Sequence, residues 1–297
     1  MNLSRFWKDP PPALAFEISE AGIAWARFPA KTPGTPEMNF RALAPGVLSV
    51  SPVRDNVLMP DELASSVRTI PPPNGRRREA ALILPDYCAR IAVLDFDGFP
   101  ADTNEQRSLV RFRMKKSVPF DVESAAIGYF PQPAQDKKKI DVVVTIAPLE
   151  TVARYEAPFR AAGMIPGLVT VSALAAVELL DPAGVKILAK LAGNVLTILV
   201  LERGALKLVR SLELGEFPTL ADIASDVYPT FAYVEDNLGA KAGTLVLCGF
   251  GTLEEEAVRK FARELEVVVE PLRSPWGPPG PDNAGLLGYL SSLEMAA

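Results

Sequence analysis

Histidine is absent from the 297 residues, and that one absence closes off more chemistry than anything else in the composition. Without an imidazole there is no Ser-His-Asp triad, no Cys-His dyad and no His-ligated zinc. Cysteine is nearly absent too. Cys88 and Cys248 stand about 160 residues apart, so neither a CxxC metal site nor a disulfide framework can be built, and a reducing compartment is expected. Positive charge is not in excess: 31 Lys+Arg against 36 Asp+Glu leave −5, which argues against a nucleic-acid-binding surface. No charge-free apolar run reaches the ~18 residues a membrane span needs, and the stretch before Asp9 and Pro10 is too short for a signal peptide. The expectation is a cytoplasmic protein that reaches a membrane only by recruitment. With 48% hydrophobic and 23% charged residues, the chain has a globular composition and length enough for two compact lobes.

Hydrophobic periodicity organises what is there. Leu14, Phe16 and Ile18 alternate with Ala15 and Glu17 over 13–19, the pattern of a half-buried strand, and residues 23–28 complete a hairpin after Gly22. Residues 38–44 predict a third strand and 61–70 a short helix capped by Asp61 after Pro60. Beyond the breaker cluster 71–75 come strands over 80–84 and 90–96, a basic helix over 104–118 ended by Pro119, strands over 125–130 and 140–146, and a helix over 149–162 stopped by Gly163. A second series follows: strand 168–171, helix 173–180, and three strands at 185–191, 196–201 and 206–212 with turns at Gly193-Asn194 and Arg203-Gly204. It continues with an amphipathic helix over 220–238 that Pro229 should kink or interrupt, strand 244–247, helix 253–265, strand 267–269 and a last helix near 285–293. Each half delivers strands in a block and then alternates them with helices, which predicts two related α/β lobes around a cleft.

Five segments, taken in order and spacing, resemble the PilM family, the actin-like cytoplasmic proteins of type IV pilus assembly that are more distantly related to FtsA. They are Pro45-Gly46-Val47-Leu48, Asp61-Glu62-Leu63-Ala64, Ala80-Ala81-Leu82-Ile83-Leu84-Pro85, Lys116-Ser117-Val118-Pro119-Phe120 and Ala161-Ala162-Gly163-Met164-Ile165-Pro166. The resemblance spans about residues 13–292. It implies an α/β, actin-like (ribonuclease H-like) two-lobed fold with an FtsA/PilM-type inserted subdomain. The division would be a tail at 1–12, a first lobe at 13–165 with the insertion at about 80–147, and a second lobe at 166–297. It also implies a partner, the cytoplasmic tail of a PilN-like inner-membrane protein, with contacts onward to the pilus motor complex. That places the chain peripherally at the inner membrane, with no nucleic acid involved and a homo-oligomer left open.

Actin-like ATPases hold nucleotide with two strand-turn-strand hairpins and a glycine-rich turn, and the same resemblance locates all three. The family's first hairpin reads like D-I-G-S-S-S-V-K, its Asp holding metal-bound water. Here Glu17-Ile18-Ser19-Glu20-Ala21-Gly22-Ile23-Ala24 replaces that Asp with Glu17, the glycine with Ser19 and a small hydroxyl residue with Glu20. A carboxylate about 4 Å from a phosphate charge repels it by roughly 4 kcal/mol at an effective dielectric near 20, about a thousandfold in affinity. The second hairpin should carry D-I-G. The matching Lys190-Leu191-Ala192-Gly193-Asn194 puts a lysine where the acid belongs, and that lysine is placed to neutralise a phosphate directly. The third, Leu247-Cys248-Gly249-Phe250-Gly251-Thr252, resembles the family's LSGGGA turn at a helix N-terminus. Each has a plainer alternative: Glu17 and Glu20 as outward-facing hairpin residues, Lys190 as a solvated strand end, the glycines as a tight turn without ligand. Hydrolysis needs a metal and an oriented water, and no well-placed acid serves either. The reading is a degenerate ATPase with no catalytic residue, no metal site and no resident cofactor, ATP or ADP with magnesium being what a surviving site would take.

The remaining features have ordinary readings beside sharper ones. The basic helix from Arg107 to Lys116 suits anionic lipid headgroups, an acidic partner tail or plain solvation. Lys137-Lys138-Lys139 and Arg76-Arg77-Arg78 read as solvated loops, and Asp95 and Asp97 as a strand end of the insertion away from the cleft. By resemblance the partner groove lies between the insertion and the first lobe, where an open strand edge would accept an extended peptide and Phe120 is the one residue assigned to it. Cys88 and Cys248 read as buried small hydrophobes. Three rivals stand beside the scaffold: an active ATPase with Glu17 replacing Asp, the cytoplasmic domain of a GspL-like type II secretion component, whose transmembrane continuation is not seen before Ala297, and a small-molecule kinase of the same fold.

Overall fold

A computed structural model describes residues 11–28, 35–71, 78–132 and 139–294. The N-terminal proline cluster's start, Arg76, Arg77, Lys137 and Lys138 therefore lie outside the described residues. The first sheet begins with the expected hairpin, β1 (Leu14–Ile18) and β2 (Gly22–Arg27). Alternation predicts one wet face for β1, yet all five of its residues are buried. Leu14, Phe16 and Ile18 enter the main core, while Ala15 joins Ala24, Ala26 and Ala81 in a face of small side chains. That flat face is covered by the last helix of the chain, whose Leu286, Leu287 and Leu290 pack on it. The face looked solvated in sequence because the element that covers it comes about 270 residues later.

Four strands surround β1 in the order β3-β2-β1-β4-β8, with β3 (Glu37–Ala42), β4 (Glu79–Leu84) and β8 (Ile165–Val171). The β1–β2 and β2–β3 pairs are antiparallel; β1–β4 and β4–β8 are parallel. A second sheet of β9 (Val185–Ala192), β10 (Val195–Glu202), β11 (Ala205–Glu213), β12 (Thr244–Cys248) and β13 (Val268–Pro271) repeats the plan as β11-β10-β9-β12-β13, with the same polarity at each pair. The kinship that sequence shows only as a similar run of elements is thus a matching strand order. Between β4 and β8 the chain builds a separate three-stranded sheet, β5-β7-β6, from β5 (Arg90–Phe96), β6 (Ala125–Pro131) and β7 (Ile140–Pro148). Asp95 lies on it, held by Lys139 at 2.5 Å and Arg113.

The helices refine the expected boundaries. Helix α1 (Pro60–Arg68) starts one residue earlier than predicted, with Met59 at the cap position and no side-chain cap. Proline takes the first helical position because its missing N–H costs nothing there, and Asp61 lies inside the first turn rather than capping it. Helix α2 (Thr103–Met114) is capped by Asp102, which accepts from the Asn104 and Glu105 amides, and it ends four residues before the predicted stop. Helix α3 is Leu149–Ala161. The predicted helix over 173–180 divides into α4 (Ser172–Ala176) and a 3-10 turn at Val177–Leu179. Helix α5 (Leu220–Leu238), boxed at its start by Thr219 and Asp222, is not interrupted at Pro229. Helices α6 (Glu254–Leu265) and α7 (Ala284–Glu294) complete the chain.

Two elements beyond residue 165, β8 and α7, return to the first sheet. Helix α7 lies across α4 so closely that a Cβ on Gly288 would stand 2.1 Å from the Ala175 carbonyl oxygen. Backbone atoms cannot give way as a flexible side chain would, so only glycine fits. Gly288→Ala is expected to destabilise the fold by about 3 kcal/mol, read as a lower urea midpoint at an unchanged m-value.

Candidate functional site

The parallel strands of the two sheets end toward each other, and each leading strand turns back through a hairpin at that end. The β1–β2 turn carries Ser19, Glu20 and Ala21; the β9–β10 turn carries Gly193 and Asn194. Between them is a cleft of about 250 Å3, also lined by Asp86, Tyr87, Ser172 and Asp282. Ser19 closes its own turn, its Oγ donating to the Gly22 carbonyl at 3.2 Å. Glu20 is exposed and accepts from the Val50 amide at 2.8 Å. Its second carboxylate oxygen faces Gly193, where a Cβ would approach to 3.7 Å.

The floor of the cleft is built of buried ionisable side chains. Lys190 and Glu17 are each 1% exposed, which overturns the reading of either as a solvated residue. The Lys190 ammonium lies 3.0 Å from Asp86 Oδ2, and Asp86 Oδ1 accepts from the Ala173 amide at 2.6 Å. Glu17 accepts from the Ser172 hydroxyl on one oxygen and from the Leu286 amide, 2.7 Å away, on the other. Burial pushes the Glu17 carboxyl up to about 7, against the downward pull of Lys190, Ser172 and Leu286. Burial works against the charge on Lys190 as well, but Asp86 and Glu17 outweigh it and hold the ammonium above its ordinary value.

Six of the sequence-assigned residues, Glu17, Ser19, Glu20, Lys190, Gly193 and Asn194, therefore line one cleft. The other four do not join them. Gly249 adopts φ +85°, and a Cβ there would sit 1.9 Å from the Leu191 carbonyl oxygen. The close approach that its lack of a side chain allows is to strand β9, on this chain. Phe250 is buried with its ring 5.9 Å from that of Phe261. Gly251 and Thr252 form a 3-10 turn leading into the acidic first turn of α6, Glu254 to Glu256. Phe120 lines a second hollow of about 170 Å3, with Pro52, Tyr87, Arg90, Ile91 and Val209.

Sequence reasoning missed Asp86, Ser172 and Asp282. Asp86 had a signal: it directly follows Leu84-Pro85, the end of a segment that carries the family resemblance, at a strand's carboxyl end. Ser172 occupies the equivalent place after β8; nothing local marks Asp282. Both cysteines are buried, as expected, and burial raises both thiols, Cys248 to about 12. No group of three or more candidate metal-ligating side chains occurs among the described residues.

Neither a protein-family model nor a curated protein sequence matches the chain. Solved structures do. A chain of the PilM-PilN type IV pilus biogenesis complex aligns over 96% of this chain and 99% of its own, with TM-score 0.78 at 18% identity. A Bacteroides thetaiotaomicron protein with an actin-like ATPase fold and unknown function aligns over 86% and 89%, with TM-score 0.57 at 14% identity. The cytoplasmic domain of EpsL, an inner-membrane component of the Vibrio cholerae type II secretion system, aligns over 95% and 94%, with TM-score 0.52 at 13% identity. At these identities the likeness establishes the fold, which is actin-like and two-lobed.

The buried network has measurable consequences. Lys190→Met leaves the Asp86 carboxylate buried without its cation and is expected to cost about 3–5 kcal/mol, most of it restored by adding Asp86→Asn. For Glu17 the folded state keeps a proton that the unfolded chain releases between pH 4.5 and about 7. Its contribution is therefore full below 4.5 and lost as the pH rises through 7. The stability difference between the wild type and Glu17→Gln should fall across pH 5–7.5 by up to about 1.4 kcal/mol per pH unit in urea melts, and a flat difference would show that Glu17 does not titrate there.

Proposed function

We propose that the chain is a PilM-type scaffold of a type IV pilus or related secretion machine: a cytoplasmic protein, peripheral at the inner membrane, that docks the tail of a PilN-like inner-membrane protein and does not turn over ATP. The observation that carries the second half is the Lys190 ammonium seated on Asp86 at the floor of the cleft. In an actin-like ATPase that floor serves a metal-bound water and the phosphates. Magnesium with a nucleotide fits the residues poorly. The cationic place is taken by a side chain of the protein, Glu17 is engaged by Ser172 and Leu286, and Glu20 and Asp282 bring two more carboxylates to the lining. No hydrolytic step is derived through such a site.

Partner docking is supported by two things. The first is the likeness over nearly the whole chain to a protein solved as a PilM-PilN complex. The second is the hollow at Phe120, where the inserted subdomain meets Pro52 of the first lobe and Val209 of the second sheet. Two strands that contribute to it, β5 and β11, are the edge strands of their sheets and lie against each other, so the hollow is a seam between two sheets that a peptide side chain can enter. No helix among the described residues is long and apolar enough to cross a membrane, so on this reading the partner's tail supplies the attachment. A second reading, the cytoplasmic part of a GspL-like secretion component, has the weaker likeness to EpsL behind it.

Calorimetric titration with ATP and with ADP, each with and without magnesium, is expected to give no binding up to millimolar nucleotide. Micromolar, magnesium-dependent binding would overturn the degenerate-ATPase reading. Titration with the cytoplasmic-tail peptide of the PilN-type protein from the same genome should give micromolar affinity that Phe120→Glu weakens about tenfold. If the peptide does not bind, the docking assignment fails independently of the nucleotide result.

A further inference from the structure

Helix α2 has a face that the fold leaves unused. Val110 and Met114 are fully buried under the three-stranded sheet, while Phe112 on the opposite side is 75% exposed. At 3.6 residues per turn, Arg111 and Lys115 are neighbours of Phe112 round the axis, whereas Arg107, five positions back, lies about 140° away, on the Met114 side; Lys115 caps the helix and Lys116 follows in a turn. The outward face at the C-terminal end of α2 is thus an aromatic ring beside Arg111 and Lys115, with Lys116 just past the helix. Arg111 is partly neutralised by Glu123 at 3.4 Å, and Arg113, on the far side, is held by Asp95 and stacked 5.0 Å over Phe96. Lys115 and Lys116 are exposed and make no ion pair with any described residue. The one acid within the helix, Glu105, lies seven residues before Phe112, about 10 Å along the axis. This cationic cluster stands on a chain whose net charge is −5.

We propose that this outward face at the C-terminal end of α2, Phe112 with Lys115 and Lys116, is a docking surface for an anionic lipid membrane. A single ring standing proud of its surroundings needs a shaped apolar pocket to be recognised by a folded protein, but only depth to enter a bilayer interface. Flanking lysines and arginines then meet the lipid phosphates, the arrangement of helices that lie in the interface. Each Lys or Arg near an anionic leaflet raises partitioning about fivefold, so two unpaired ones give about 25-fold. That is weak for a free protein and sufficient for one already held at the membrane, where the second contact is intramolecular. The proposal deepens the peripheral placement given above and rests on it, but its test needs no partner: lipid is absent from the peptide titration, and the peptide is absent here.

Flotation of the purified chain with vesicles of equal phosphatidylglycerol and phosphatidylcholine, against pure phosphatidylcholine, is the experiment. Binding is expected to the anionic vesicles at about 50 mM salt, to fade at about 500 mM, and to be absent on the neutral ones. Phe112→Ser should weaken it five- to tenfold and Lys115→Glu/Lys116→Glu about a hundredfold, while Lys241→Glu, a surface charge elsewhere, leaves it within twofold. All are exposed positions, and matched urea midpoints will show that the variants fold. Absence of binding to anionic vesicles at low salt overturns the proposal, as does equal loss with Lys241→Glu. Binding to soluble poly-glutamate with none to vesicles assigns the face to an acidic protein and overturns it as well.

Discussion

One buried ammonium holds the two halves of this protein in register. Lys190 belongs to β9 in the second sheet, but its charge is answered from the first, by Asp86 just past β4 and by Glu17 on β1. Those carboxylates are in turn fixed by backbone amides at the start of α4 and in α7. Two sheets and two helices therefore converge on three ionisable side chains with almost no access to water. Such a cluster is weak evidence for stability, because desolvating the ions offsets much of their attraction. Its effect is on arrangement: a slip of one element past another would strand a charge in the interior, and that cost selects a single packing.

The repeated plan of the sheets explains why the charges meet. β1 and β9 are the central strands of matching sheets, and each runs directly into the hairpin turn that borders the cleft. Glu17 and Lys190 sit on those strands just before the turns, with Ile83 and Cys248 as their neighbours on the parallel strands β4 and β12. In the family that the sequence resembles, both places hold aspartate. On the function proposed above, glutamate at one place and lysine at the other give a set with its own counter-ion where the family has two acids facing a metal-bound water. A pair of opposite charges at related positions satisfies itself, whereas two acids need something brought from outside.

Much of this architecture was legible from sequence because most elements declare themselves locally. The hairpins, the amphipathic α5 and the turn glycines need no distant information. The failures have a common cause in contacts between residues far apart in the chain. Glu17 reads as the wet position of an alternating strand until α7 is laid over Ala15 and Ala24. Lys190 reads as a strand-end lysine until Asp86, 104 residues away, is brought against it. Gly249 shows the reverse, since a glycine that allows close approach is recognisable in sequence but the strand that approaches it is not. At Gly249 the neighbour on the side-chain side is the Leu191 carbonyl of this chain.

A second contact limits how the lobes can move about the cleft. Gln132, at the end of the inserted subdomain's β6, is buried and uses both ends of its amide on Leu206 of β11, accepting from the amide and donating to the carbonyl at 2.7 Å each. A side chain there does what one residue of a paired strand would do at a sheet edge. Lys207 beside it reaches Asp141 of β7 at 2.8 Å, and Tyr233 of α5 bonds the Lys207 carbonyl. The lobes are thus joined at the cleft floor and again through the insertion. Opening the cleft by rotation would strain one junction or the other, each with buried polar groups that water cannot reach cheaply. A nucleotide cycle needs two arrangements of the lobes separated by a small free energy. Two polar junctions of this kind favour one arrangement, and a fixed arrangement is what a docking platform requires.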